Sequence, residues 1–114
     1  MRRLLIATLL CLAPLQVWAH AQLRSAAPAA GAILDAPPAE IVLTFNEPVA
    51  PLQARLFGPD GAARDAPARA EGASLIVTLP PALAQGTHAL SWRVVSDDGH
   101  PVGGTHVFSV GVET

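Results

Sequence analysis

Proline and glycine interrupt this chain at short intervals, and that punctuation limits its fold more than any other feature. The 114 residues include 11 prolines and 9 glycines. Both residue types end α-helices and mark turns, because proline lacks a backbone N–H and glycine adopts conformations that other residues avoid. No stretch of useful length combines helical periodicity with freedom from both residues. The punctuation therefore predicts short strands joined by turns, without a substantial helix.

The segments between the turns alternate between apolar and polar side chains, as half-buried strands do. The clearest alternation runs through residues 88–95, where one face carries His88, Leu90, Trp92 and Val94. Residues 105–110 repeat it with His106, Phe108 and Val110. About six or seven such strands predict an all-β protein, either an immunoglobulin-like β-sandwich or a small Greek-key barrel. The segment 60–72 is instead expected to form a loop.

The first nineteen residues have the layout of a secretory signal peptide. Arg2 and Arg3 give a positive start, and an apolar run follows them that is shorter than the roughly 20 residues a transmembrane helix needs. Val17 and Ala19 then occupy the −3 and −1 positions of a cleavage site. The sequence therefore predicts export to the periplasm and removal of residues 1–19, which leaves one domain of 95 residues, 20–114.

Removal of the signal peptide would change the chemistry that the chain can offer. It takes away Met1 and Cys11, the only residues that carry sulfur. Five arginines and no lysine remain against nine acids, so the formal net charge becomes −4. The mature domain would therefore have no thiol for a disulfide or a thiolate metal site, and no basic surface for nucleic acid. Its length excludes a multidomain enzyme.

The predicted mature N-terminus is a histidine, which is a chelator by itself. The free α-amine and the imidazole Nδ1 of His20 can bind one metal ion in a six-membered ring. A further imidazole would complete a set of three nitrogens, and this donor set suits Cu(II).

A second candidate for ligation lies in residues 96–101. Asp98 and His100 are two residues apart, so their side chains project to the same side of an extended chain. Pro101 restricts His100 to extended conformations. An Asp-x-His triplet is more often a solvated turn than a metal site, and Asp97 is an alternative to Asp98 as the ligand. The triplet and the N-terminal histidine strengthen each other, because one site would use both.

Together these segments resemble the CopC family of bacterial periplasmic copper-binding proteins. The most specific match is W-R-V-V-S-D-D-G-H-P-V-G-G at residues 92–104, and further segments match at 20–23, 25–31, 41–49 and 108–110. The resemblance covers nearly the whole predicted mature chain. It implies a cupredoxin-like Greek-key barrel or sandwich of about seven strands.

The resemblance also implies the ligands of one Cu(II) ion per chain. They are the α-amine and imidazole of His20, the carboxylate of Asp98 and the imidazole of His100. In some members a glutamate at the position of Glu47 also lies near the copper, so Glu47 is a candidate for a weak ligand or for contact with a ligand, with a solvated loop acid as the alternative. The resemblance further implies an inner-membrane copper transporter of the CopD type as a partner, and the protein itself is expected to be monomeric.

The chain departs from part of the family in its sulfur content. Some members carry a methionine-rich loop that binds Cu(I), whereas residues 53–71 here contain neither methionine nor histidine. Soft Cu(I) selects thiolate and thioether donors. The sequence therefore predicts a protein that binds Cu(II) only.

The other two histidines are expected to be structural. His88 shares a strand face with Trp92, so both are predicted to lie in the core or at its rim. His106 shares a face with Phe108. For His106 the structural interpretation is favoured, with contact to a copper ligand as the alternative.

The expected function is sequestration or transport of Cu(II), without catalysis. One alternative is an enzyme, because an amine with two imidazoles also holds copper in polysaccharide monooxygenases. Those enzymes are generally larger and present a flat aromatic surface, whereas the predicted mature chain has one Trp, three Phe and no Tyr. A structural sandwich without metal is the other alternative.

Overall fold

The computed structural model describes residues 21–111, and this part of the chain is built from nine β-strands. Within it, no helix is long and apolar enough to cross a membrane. The predicted signal peptide and His20 lie outside the described residues. The strands are β1 (Leu23–Ala27), β2 (Ile33–Leu34), β3 (Glu40–Phe45), β4 (Val49–Phe57), β5 (Ala63–Asp65), β6 (Ala68–Glu71), β7 (Ser74–Thr78), β8 (Gly86–Ser96) and β9 (Pro101–Val110).

The strands form two sheets that enclose one core. One sheet has the order β1-β3-β7-β6 and the other has the order β2-β9-β8-β4-β5. All neighbours are antiparallel except β2 and β9. The predicted all-β sandwich is confirmed. The structure has more strands than the six or seven expected, because β2 and β5 contain only two and three residues and leave no alternation to detect.

The segment 60–72 is not the continuous loop that the sequence suggested. It contains β5, which pairs with β4, and β6, which pairs with β7, and Ala66 between them is buried. Alanine and charged side chains have low strand propensity, but pairing with a neighbouring strand overrides that local preference. The prediction of a loop was therefore wrong for most of this segment.

The core is formed by the inward-facing residues of both sheets. The face predicted for β8 is confirmed, because its four residues are buried while Arg93 is exposed. Trp92 lies in the core as predicted and packs edge-on against Phe45, with 5.3 Å between the ring centroids. This contact joins the two sheets. Burial of aromatic side chains of this size is a large part of the free energy that stabilises a sandwich.

The start of the described chain and two connections between strands lie at one end of the sandwich. Leu23, at the start of β1, pairs with Phe45 at the end of β3. The β3–β4 turn follows, and β4 begins at Val49, which pairs with Ser96 at the end of β8. The chain start, the β3–β4 turn and the β8–β9 loop are therefore neighbours at this end, although they are far apart in the sequence.

Candidate metal site

The β8–β9 loop is a tight connection between the two longest strands. β8 ends at Ser96, whose carbonyl accepts a hydrogen bond from the Gly99 N–H at 2.9 Å, and β9 begins at Pro101. Gly99 has a φ of +83°, a left-handed conformation that costs glycine little and other residues more. The D-G-H segment thus forms a fixed turn, which holds Asp98 and His100 close together.

The carboxylate of Asp98 accepts two hydrogen bonds on one of its oxygens. Its Oδ1 accepts from the Ser96 hydroxyl at 2.6 Å and from the His100 backbone N–H at 3.0 Å. These two hydrogen bonds lower the pKa of Asp98 to about 2, and the one from Ser96 has the larger effect. Asp98 is therefore ionised at neutral pH and ready to bind a cation.

The second oxygen of Asp98 faces the imidazole of His100. Oδ2 lies 3.3 Å from Nδ1, and the imidazole is 63% exposed while the Asp98 side chain is 23% exposed. Oxygen and nitrogen donors held at about 2.1 Å from one ion, 90–110° apart, are themselves about 3.0–3.4 Å apart. The two atoms therefore already have a separation that one metal ion can bridge. Asp98, and not Asp97, is the carboxylate that contacts His100.

The pair needs donors from elsewhere to complete a metal site. Among residues 21–111, no group of three or more His, Cys, Asp or Glu side chains is arranged to hold a metal ion. His20 is the predicted source of the missing nitrogens, and the two residues that follow it are held by the fold. Ala21 is buried in the core, and the Gln22 backbone exchanges two hydrogen bonds with Asn46, at 2.7 and 3.0 Å. The chain therefore enters the fold at the end that carries Asp98 and His100.

Glu47 lies in the β3–β4 turn at the same end of the sandwich. It is half-buried and directly follows Asn46, the residue that fixes Gln22. This position is compatible with contact to a ligand of the predicted site.

His106 lies well inside β9, away from the loop. It pairs with Leu90 and is five positions along the strand from Pro101, a distance of about 17 Å. Its side chain is buried, and this burial lowers the pKa of His106, while a hydrogen bond to the Pro28 backbone opposes the shift. The position favours the structural interpretation over contact with a copper ligand.

His88 is a buried residue at the opposite end of the sandwich. Its Nε2 hydrogen-bonds to the Ala84 carbonyl at 2.8 Å, and its ring stacks on Phe108 with 5.4 Å between centroids. A cavity of about 510 Å³ lies at that end, lined by His88, Pro59 and Leu83 among others. The structure thus confirms His88 as a core residue.

The sequence did not single out Ser96 or Asn46, although both order the candidate site. Ser96 holds Asp98, and Asn46 holds the chain start. A Ser two residues before an Asp at a strand end is a pattern that favours local side-chain hydrogen bonds, and it is the signal that was available for Ser96. The Asn46 contact spans 24 residues and has no local signature.

Comparison with known proteins identifies the family of this domain. The family model of the CopC domain matches residues 23–111. The chain belongs to the CopC family. This CopC-family protein is 40% identical over 100 residues to protein YobA of Escherichia coli K12, across 82% of the chain and 81% of YobA. It is 38% identical over 110 residues to copper resistance protein C of Xanthomonas campestris pv. juglandis, across 87% of the chain and 86% of that protein.

Solved structures of the CopC family have the same fold. The crystal structure of CopC from Methylosinus trichosporium OB3b is 30% identical, with a TM-score of 0.69 over 80% of the chain and 93% of that structure. PcoC of Escherichia coli, described as a methionine-rich copper resistance protein, is 29% identical, with a TM-score of 0.63 over 81% and 99%. The resemblance found in the sequence segments is thereby confirmed.

Proposed function

We propose that this CopC-family protein is a periplasmic carrier or buffer that binds one Cu(II) ion. The ligands are the α-amine and imidazole of His20, exposed by cleavage after Ala19, with Asp98 and His100. The single observation that carries the proposal is the ordered pair of Asp98 Oδ2 and His100 Nδ1, held 3.3 Å apart at the end of the sandwich where the chain starts.

The chemistry of the donors supports Cu(II) as the cargo. Imidazole, amine and carboxylate donors suit Cu(II), which leads the affinity order of the divalent first-row ions. After removal of residues 1–19 the chain contains no sulfur, and Cu(I) binds preferentially to sulfur donors. PcoC is described as methionine-rich, and this chain differs from it in having a single methionine, Met1.

The names of the relatives support a role in resistance to copper. Copper resistance protein C and PcoC are both described by resistance to copper. A carrier with one Cu(II) site sequesters the ion or delivers it to an inner-membrane transporter of the CopD type. A monomer is sufficient, since all the proposed ligands come from one chain.

The test compares two forms of the protein that differ only at the chain start. Cu(II) affinity and stoichiometry are measured by competition with a chelator, on protein that begins at His20 and on protein that begins with Met-His20. We expect one ion per chain and tight binding for the first form. The second form should lose most of its affinity, because the α-amine no longer belongs to the chelate ring.

Two results would contradict the proposal. If the form that begins at His20 binds no Cu(II), the function is wrong. If both forms bind equally tightly, the N-terminal ligand is wrong. The intact mass of the exported protein provides the control, since it gives the cleavage site directly.

A further inference from the structure

We propose that Ser96 is a positioning residue for the metal site, because it fixes the orientation in which the Asp98 carboxylate presents an oxygen to the ion. This inference rests on the proposed function of the site. It adds to that function a residue that is not itself a ligand.

The hydroxyl of Ser96 has little freedom to move. The residue is 5% exposed and is the last one of β8, where it pairs with Val49. Its carbonyl accepts the Gly99 N–H that closes the turn. Both strand pairing and turn closure therefore fix its backbone, and burial restricts its side chain.

The hydrogen bond from Ser96 has only one possible direction. An ionised carboxylate can only accept hydrogen bonds, so the hydroxyl donates to Asp98 Oδ1, at 2.6 Å. The His100 N–H donates to the same oxygen. With two donors on Oδ1, the carboxylate is held with Oδ2 toward the His100 ring.

Removal of the hydroxyl would leave Oδ1 of Asp98 with a single hydrogen-bond donor. The remaining donor is a backbone N–H within the same turn, and it permits the carboxylate to rotate about its last bond. The ion would then have to order the carboxylate at the moment of binding, which costs free energy. Loss of a group that orients a ligand typically weakens metal affinity about 10–100-fold.

The first experiment measures Cu(II) affinity of the correctly processed Ser96→Ala variant. We expect affinity about 10–100-fold below that of the unaltered protein. Ser91→Ala is the matched control, because Ser91 lies on the same strand and points away from the core. Its affinity should not change. If Ser96→Ala binds as tightly as the unaltered protein, the inference is wrong.

A double-mutant cycle separates positioning from a merely structural role. Ser96→Ala is combined with Asp98→Ala, which removes the acceptor of the Ser96 hydrogen bond, and affinity is compared with that of Asp98→Ala alone. If Ser96 acts through the Asp98 carboxylate, Ser96→Ala should lower Cu(II) affinity much less in the protein that lacks this carboxylate than in the unaltered protein. An equal loss in both backgrounds would mean that Ser96 only supports the loop, and would overturn the inference.

The conservative variant Ser96→Thr is the control for a loss of affinity that is caused by misfolding. It keeps the hydroxyl donor and should retain affinity near that of the unaltered protein, even if its melting temperature falls as far as that of Ser96→Ala. Loss of affinity in a folded Ser96→Thr protein would contradict the inference. These outcomes are distinct from failure of the proposed function, in which the unaltered protein itself binds no Cu(II).

Discussion

His100 and His106 are six residues apart, yet they lie in two chemically different regions of the molecule. The imidazole of His100 is exposed beside an ionised carboxylate, in a turn at the end of the sandwich. His106 is buried in β9 beside Phe108, and its Nε2 has no hydrogen-bond partner among residues 21–111. The difference shows that neighbours and burial, not residue type, separate a candidate ligand from a structural histidine.

The largest expected effect that separates these regions is on metal affinity. His100→Ala should lower Cu(II) affinity by more than the roughly 100-fold that loss of an orienting group costs, since it removes one of the proposed ligands. Its melting temperature should change little, because the side chain is exposed. Chelator competition and thermal unfolding check both parts. Unchanged affinity would remove His100 from the site.

His106→Ala should give the opposite result. It removes a buried side chain between the sheets and should cost about 2–4 kcal/mol in the free energy of unfolding. Cu(II) affinity of the folded protein should stay the same, because the residue lies about 17 Å from the start of the strand. Denaturant titration measures the loss. A folded variant with weakened copper binding would contradict the separation between the two regions.

A smaller effect distinguishes the two neighbouring aspartates. Asp98→Asn should weaken Cu(II) binding, because the carboxylate that faces His100 loses its charge. Asp97→Asn has the same change in net charge and serves as the matched control, with affinity expected to stay close to that of the unaltered protein. Equal losses in both variants would indicate a general effect of charge instead of a specific ligand.

The smallest expected effect is the pH dependence of stability caused by His106. Burial lowers the pKa of His106, so the unfolded chain takes up a proton at a higher pH than the folded protein does. Stability from this residue is complete above its usual pKa of about 6.5 and is lost as the pH falls below that value. His106→Leu should make the free energy of unfolding less dependent on pH between 7 and 5. An identical pH dependence in both proteins would exclude His106 as the source.

Much of the fold could be predicted from the sequence, because alternation in 88–95 and 105–110 reports burial directly. β2 and β5 could not, since two or three residues do not establish a period. β6 was missed because its residues favour a loop locally, and only pairing with β7 makes them a strand.

The candidate site was predictable to a different extent. The spacing of Asp98 and His100 indicated a shared side, and the structure gives their contact. The pattern of faces placed His106 inward but gave no distance from the loop, so its relation to the metal stayed open. The role of Ser96 depends on the direction of one hydrogen bond and on burial at a strand end, which spacing alone does not determine.

The position of the chain start has a consequence for the order in which the site is assembled. The residues that follow His20 stand at the start of the described chain, whereas Asp98 and His100 lie in the loop between its last two strands. Ala21 and Gln22 reach their places only when β3 and the core exist to receive them. If His20 is a ligand together with Asp98 and His100, the site is completed only late in folding, and before that stage the donors are separate from one another. Tight copper binding would then report that the whole domain has finished folding.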